Sequence, residues 1–209
     1  MGRIPMNFHV ESIFACNVGR RIINEIDLSP LNAIKKYPYL SCDEDDPECG
    51  NYISESKKIL NDFPQIKQHI LTILHAYIDS IYHYENEFEI TTSWATCIQP
   101  NVTTYLHNHQ NSMFSGVLYL PSDYISPISF EEINRSSYSI IPKEYNIYNS
   151  IEWIVNPSPN EIILFPSSVY HRIKKNKGTE NRFSIAMNFI PTGEYGKEDS
   201  YLNVIKGGN

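Results

Sequence analysis

Three histidines and one arginine stand out by residue type and spacing. His107 and His109 flank Asn108, and in a strand residues two apart point to the same side. Both imidazoles would then face one interior, close enough to share a first-row metal ion. A polar strand end with two incidental histidines fits the same pair. His171 follows Leu164-Phe-Pro-Ser-Ser-Val-Tyr170, which reads as an apolar strand, a tight turn and the start of another strand. Two ligands from one strand end and a third from a distant strand are how a barrel builds a facial triad, which leaves three metal positions open on one side. Open positions separate a reactive centre from a closed structural one.

Arg182 lies beyond the turn Asn176-Lys177-Gly178, and Ser184 is two positions further along the same strand face. A guanidinium offers a rigid fork matched to a carboxylate, and a nearby hydroxyl adds a third hydrogen bond. An inward arginine needs an anion, because an unpaired buried charge is costly. A salt bridge to one of the 24 acidic residues would meet that need. Beside three histidines, the reading is a dicarboxylate cosubstrate. Tyr105 and Tyr119 are candidates to touch cosubstrate or substrate, against the plainer reading of barrel-filling aromatics. Asn111 and Asn188 are candidates to orient ligands. Trp94 and Trp153 read as core residues.

The elements that position these residues change character near residue 86. The expected class is mainly β with N-terminal helices (α+β). Over 1–86 the signals are helical, a support region. Ser29-Pro30 predicts a short helix through Lys36, with proline at the first helical position. A stronger helix begins at Asp62-Phe63-Pro64, with Ile66, Ile70, Ile73, Leu74, Tyr77, Ile81 and Tyr84 on one stripe of a 3.6-residue repeat. His69, His75 and His83 fall off that stripe and read as solvent-facing.

From 87 to 190 the pattern is short strands, at 88–98, 102–109, 115–120, 151–155, 161–165, 169–173 and 182–189, rich in Ile, Val, Tyr, Phe and Thr. Closely spaced strands without helices between them predict an antiparallel sandwich or barrel. The stretch 121–150 reads as a long, partly ordered insertion beside the site, and 191–209 as a tail. The whole chain, 1–209, reads as a single domain, with the helix packed on the outer face of one sheet.

Composition narrows the partners. The 209 residues are 41% hydrophobic and 20% charged, with 15 tyrosines. A chain of this length buries roughly 70% of its unfolded surface, so it needs no disulfide or structural metal. The net charge of −7 and pI near 5.5 argue against nucleic acid, which demands clustered Lys and Arg. None of Cys16, Cys42, Cys49 and Cys97 forms a Cys-x-x-Cys pair, so a zinc cage lacks its spacing. Residues 43–46, Asp-Glu-Asp-Asp, lack the alternation and glycine of a calcium loop. The amino terminus carries no apolar run of signal-peptide length, Met6 stands where a myristoylation signal needs Ser or Thr, and no stretch is long and apolar enough to span a bilayer. The expected setting is a reducing cytoplasm with no membrane partner. Oligomeric state is not legible, and a homodimer is compatible with the chain.

Three segments carry a resemblance: Tyr105-Leu-His-Asn-His-Gln-Asn-Ser-Met-Phe-Ser-Gly-Val-Leu-Tyr-Leu120, Leu164-Phe-Pro-Ser-Ser-Val-Tyr-His171 and Asn181-Arg-Phe-Ser-Ile-Ala-Met-Asn-Phe189. In order and spacing they resemble the Putative 2OG-Fe(II) oxygenase family, within the iron(II)- and 2-oxoglutarate-dependent oxygenase superfamily, over about 88–190, and Ser93-Trp94 suits the same pattern. The resemblance implies a double-stranded β-helix (jelly-roll, cupin-like) and Fe(2+), 2-oxoglutarate and O2 as cofactors. It implies His107, His109 and His171 as catalytic metal ligands, with His109 where the superfamily usually has Asp or Glu. It makes Arg182 and Ser184 the grip on the far carboxylate of 2-oxoglutarate. The implied reaction is hydroxylation of a small-molecule or peptide substrate with release of succinate and CO2. Two rivals use the same residues: a three-histidine cupin-like dioxygenase that takes no 2-oxoglutarate, and a non-catalytic barrel that binds a metal or ligand. Arg182 and Ser184 speak for the oxygenase.

Overall fold

The computed structural model describes residues 13–133 and 140–205. The expectations for residues 1–6 lie outside these, as do 134–139 of the insertion and the last residues of the tail. The strands are β1 (Gly19–Ile22), β2 (Tyr39–Ser41), β3 (Asn51–Ser54), β4 (Glu87–Ile98), β5 (Phe114–Tyr119), β6 (Ile128–Glu131), β7 (Glu152–Val155), β8 (Glu161–Pro166), β9 (Tyr170–Ile173), β10 (Arg182–Tyr195) and β11 (Leu202–Val204). A single α-helix among the described residues, α1 (Pro64–Ile81), precedes β4. Seven strands form one antiparallel sheet in the order β1-β8-β5-β10-β4-β3-β2, with β11 paired to the end of β10. The others form a smaller antiparallel sheet, β7-β6-β9. From β4 onward the chain passes back and forth between the two.

The period-two pattern of the strands sorts their side chains into two cores. Phe114, Leu118, Ile162, Leu164, Ile185 and Met187 face α1 and join Ile66, Ile70, Ile73, Leu74 and Ile78 in one cluster. Val117, Tyr119, Ile163, Phe165 and Ala186, their alternates, meet Ile128, Phe130, Val155 and Ile173 of the smaller sheet in the other. The helix therefore supports the outer face, as expected, and the inner face belongs to the space between the sheets. Gly116 lets this packing close: a Cβ there would stand 2.9 Å from Leu164 Cδ2.

Several sequence expectations need adjustment. The 29–36 segment is helical over the expected residues but winds as a 3-10 helix. The helical stripe ends at Ile78; Ile81 is the last residue of α1 and 46% exposed, and Tyr84 lies beyond the helix. Residues 1–86 contribute β1, β2 and β3 to the large sheet as well as helices. These strands are three or four residues long, and β1 is exposed at three of its four positions, so no burial alternation marks them. The stretch 121–150 holds β6, the middle strand of the smaller sheet. Residues 102–109 do not form the expected strand: only His107 pairs, through an isolated bridge.

Candidate metal centre

His107 and His171 form that bridge, a narrow antiparallel pair. His107 N–H donates to the His171 carbonyl at 3.0 Å, and His171 N–H donates to the His107 carbonyl at 2.8 Å. Such a pair places both side chains on one face, and their ring centroids are 4.5 Å apart. His109 is held two residues on by its N–H to the Ser167 carbonyl at 2.9 Å. Its ring lies 5.3 Å from that of His107 and 5.0 Å from that of His171. One nitrogen from each of the three lies within 4.8 Å of the others. His171 is buried and His107 exposed, so the cluster sits at a mouth rather than in a sealed core.

The hydrogen bonds decide which nitrogens converge. His107 Nδ1 is 2.9 Å from the Tyr105 carbonyl, and His171 Nδ1 is 2.9 Å from the Val169 carbonyl. A carbonyl only accepts, so both rings carry their proton on Nδ1. His109 Nδ1 is 2.6 Å from Asn188 Oδ1, again an acceptor. All three imidazoles therefore present Nε2 as a free lone pair, and an outer partner that holds Nδ1–H is the usual support of a metal-bound histidine. Ser115 Oγ braces the third of these bonds, 2.9 Å from both His109 Nδ1 and Asn188 Oδ1 and 2.7 Å from Ser167 Oγ.

Electrostatics favours the neutral form of His171 and His109. Burial pushes His171 down to about 3, with the nearby His107 and His109 adding to the effect. Burial also lowers His109, against its bond to Asn188. Metal ligation requires neutral imidazole, so near pH 7 no proton has to leave His171 or His109.

Along β10 the even positions Arg182, Ser184, Ala186 and Asn188 share the inner face. Arg182 is 1% exposed, and its Nε, Nη1 and Nη2 have no hydrogen-bond partner. Among the described residues no acidic side chain pairs with it, so the structural salt bridge weighed above is not what it makes. Its guanidinium carbon lies 5.4 Å from the Tyr119 ring centroid, and Tyr119 Oη is also buried without a partner. Desolvation lowers the Arg182 pKa and raises that of Tyr119. Ser184 Oγ is 2.6 Å from Thr96 Oγ1 on β4. A fully buried guanidinium beside two hydroxyls, with its own donors unspent, suits a carboxylate.

Tyr105 is not brought into this pocket. It is 65% exposed and donates to Asp43 Oδ2 at 3.0 Å; because 102–106 is not strand, the same-face argument that linked it to His107 does not apply. Asn188 takes the orienting place considered for it, whereas Asn111 occupies a positive-φ turn, at φ 55. Trp94 does more than fill core: its ring lies 5.5 Å from His109. Trp153, expected in the core, is 49% exposed on β7. Thr96, Ser115 and Ser167 were missed. Strand register reveals the first two, since Thr96 stands across from Ser184 and Ser115 across from Asn188, and Ser167 shows only through its bond to Ser115.

Residues 92–188 match the family described as Putative 2OG-Fe(II) oxygenase. The matched segment carries all three histidines and Arg182. Among curated proteins none matches. Three solved structures share the fold. HygX from Streptomyces hygroscopicus, with nickel, 2-oxoglutarate and hygromycin B bound, has a TM-score of 0.55 at 9% identity, with 84% of each chain covered. An oxidoreductase of the 2OG-Fe(II) oxygenase family from Burkholderia pseudomallei has 0.51 at 11%, covering 78% of this chain and 77% of its own. A prolyl hydroxylase from Trichoplax adhaerens, in complex with a hypoxia inducible factor peptide fragment, has 0.50 at 14%, covering 82% and 83%. No helix among the described residues is long and apolar enough to cross a membrane.

Proposed function

We propose that this chain is an iron(II)- and 2-oxoglutarate-dependent oxygenase that hydroxylates a peptide or small-molecule substrate and releases succinate and carbon dioxide. The observation that carries this reading is the coexistence of three convergent imidazoles and a buried guanidinium that has no hydrogen-bond partner among the described residues. His107, His109 and His171 would hold the metal, and imidazole suits iron. With His109 in place of a carboxylate, the site is one unit more positive than the usual triad, a charge that a dianion complements.

Arg182, Ser184 and Tyr119 would seat the far carboxylate. Spacing supports the pairing. Ser115, which touches His109, and Tyr119, which lies against Arg182, are four residues apart on β5, about 13 Å at ~3.3 Å per residue. A five-carbon dicarboxylate with its contacts at both ends spans such a gap. Iron and 2-oxoglutarate together supply dioxygen activation when bound. The chain's own part is to fix the imidazole tautomers, to anchor the cosubstrate at Arg182, and to keep the inner pocket dry around it.

We read the two facing sheets as a double-stranded β-helix spanning 87–190 in a single domain, with 1–86 as support. The pattern of strands crossing between sheets supports that reading, and so does the match over 92–188. Four free thiols suit a reducing, cytoplasmic setting.

The test is anaerobic addition of iron(II) and then 2-oxoglutarate to the purified protein. A weak visible charge-transfer band is expected, absent in His171→Ala and requiring more 2-oxoglutarate in Arg182→Ala. His109 in the carboxylate's place also suits a three-histidine dioxygenase. A band insensitive to Arg182→Ala would transfer the reading to that class.

A further inference from the structure

One row of side chains crosses the smaller sheet. His107 pairs with His171, His171 stands opposite Phe130, and Phe130 stands opposite Trp153. The Phe130 ring is 6.3 Å from His171, so the row leads from the metal centre to the sheet's outer edge. There a groove of about 730 Å³ is lined by residues of β7 and β1, the edge strands of the two sheets. Val18, Phe130, Trp153, Val155 and Val169 line it, and Tyr170, the residue before His171, is among its walls.

The edge of β7 offers a backbone to be read, and its one charged side chain, Glu152, is paired with Lys174. Glu132 N–H donates to the Ile151 carbonyl at 3.0 Å, and antiparallel pairs alternate along the ladder. Ile151, Trp153 and Val155 therefore turn their amides toward β6, while Glu152 and Ile154 turn theirs away. Among the described residues no strand pairs with that side. Arg20, held by Glu161, donates to the Asn156 carbonyl at 2.8 Å and closes the edge at one end. Ile151, Trp153 and Ile154 are 62%, 49% and 47% exposed. A bare apolar edge is a template for strand pairing that proteins ordinarily blunt with charge, proline or a covering segment. Outward amide donors and acceptors beside an apolar trough match the chemistry of an extended peptide, with main-chain bonds to the edge and alternate side chains in the groove.

We propose that this groove binds an extended peptide segment as an added strand on β7, with alternate apolar residues over Trp153 and Phe130. In the proposed oxygenase this is the segment flanking the residue to be oxidised. That last clause rests on the oxygenase reading; the strand addition does not.

The experiment screens dye-labelled, blocked hexapeptides, with apolar residues at alternate positions and threonine between them, by fluorescence anisotropy against the full chain. Saturable binding by some members is expected, and N-methylation of the backbone amides on one edge of those members should abolish it. Ile154→Pro removes an outward N–H without touching the ladder to β6 and should weaken binding by about tenfold or more, the scale of one main-chain hydrogen bond at a desolvated edge. Ile154→Thr keeps the amide and should keep binding. Nickel(II) and 2-oxoglutarate affinities, measured on the same samples, should not change in either variant. No binding member, or full binding to Ile154→Pro, overturns the proposal while leaving the oxygenase reading intact. Peptide binding by a chain that takes neither nickel nor 2-oxoglutarate would sink the oxygenase reading and leave the groove standing.

Discussion

Asn188 Oδ1 accepts the Nδ1–H of His109 at 2.6 Å, and this bond joins a strand of the large sheet to a proposed ligand carried on the loop before β5. Two of the three histidines take their orientation from main-chain carbonyls, which no substitution removes. His109 alone depends on a side chain. Asn188→Ala should therefore weaken metal binding by about 10–100-fold, the usual range for a lost outer partner of a metal-bound histidine. Asn188→Asp, which keeps the acceptor, should recover most of it. Nickel titration followed calorimetrically separates the two variants.

Arg182 makes an opposite pair of demands. Its buried charge has no hydrogen-bond partner among the described residues, so Arg182→Met should leave the thermal midpoint of the cosubstrate-free protein unchanged or higher, because an uncompensated buried charge costs stability. The same variant should lose about 2–5 kcal/mol of 2-oxoglutarate affinity. A sharply lowered midpoint in the absence of cosubstrate would show the guanidinium to be structural.

Acid should destabilise the metal-free chain through His171. Its folded pKa, pushed down to about 3 from 6.5, lies below the value in the unfolded chain. Between those limits the unfolded state holds a proton that the folded state does not, so stability falls as pH falls across that window and is unaffected above it. His109 shifts in the same direction. Unfolding midpoints from pH 8 to pH 4 should decline less steeply in His171→Gln than in the parent.

The outer core can be probed apart from the chemistry. Gly116→Ala places a methyl 2.9 Å from Leu164 Cδ2 and 3.3 Å from Phe189 Cε2, a crowding that should cost about 1–3 kcal/mol. Chemical denaturation measures it, and nickel affinity should stay at the parent value, because the clash lies on the face toward α1.

The sequence made the histidine cluster legible because its signal is local. Two histidines two residues apart, a third after a strand and turn, and an arginine beside a serine on one strand face can all be read without coordinates. Long-range partners could not be read that way. Thr96 meets Ser184 and Ser115 meets Asn188 only once β4, β5 and β10 are in register, and register depends on pairings across nearly a hundred residues. Tyr105 misled because the two-residue rule needs a strand, and residues 102–106 run as loop. The helix was clear from its repeat except for its last turn, where Ile81 keeps the period but is nearly half exposed. Strands β1 to β3 stayed hidden because they are short and half exposed.

The even positions of β10 carry Arg182, Ser184 and Asn188, and the odd ones carry Phe183, Ile185 and Phe189. A single residue inserted between 182 and 188 would put the residues on its two sides out of phase, so that Arg182 and Asn188 could no longer share one face. Length change in that stretch is thus open only in steps of two, whereas the connection between β9 and β10 at 176–178, outside the ladder, is free of that arithmetic. Related chains that keep these residues should vary in length at the 176–178 connection and keep the spacing from arginine to asparagine an even number of positions.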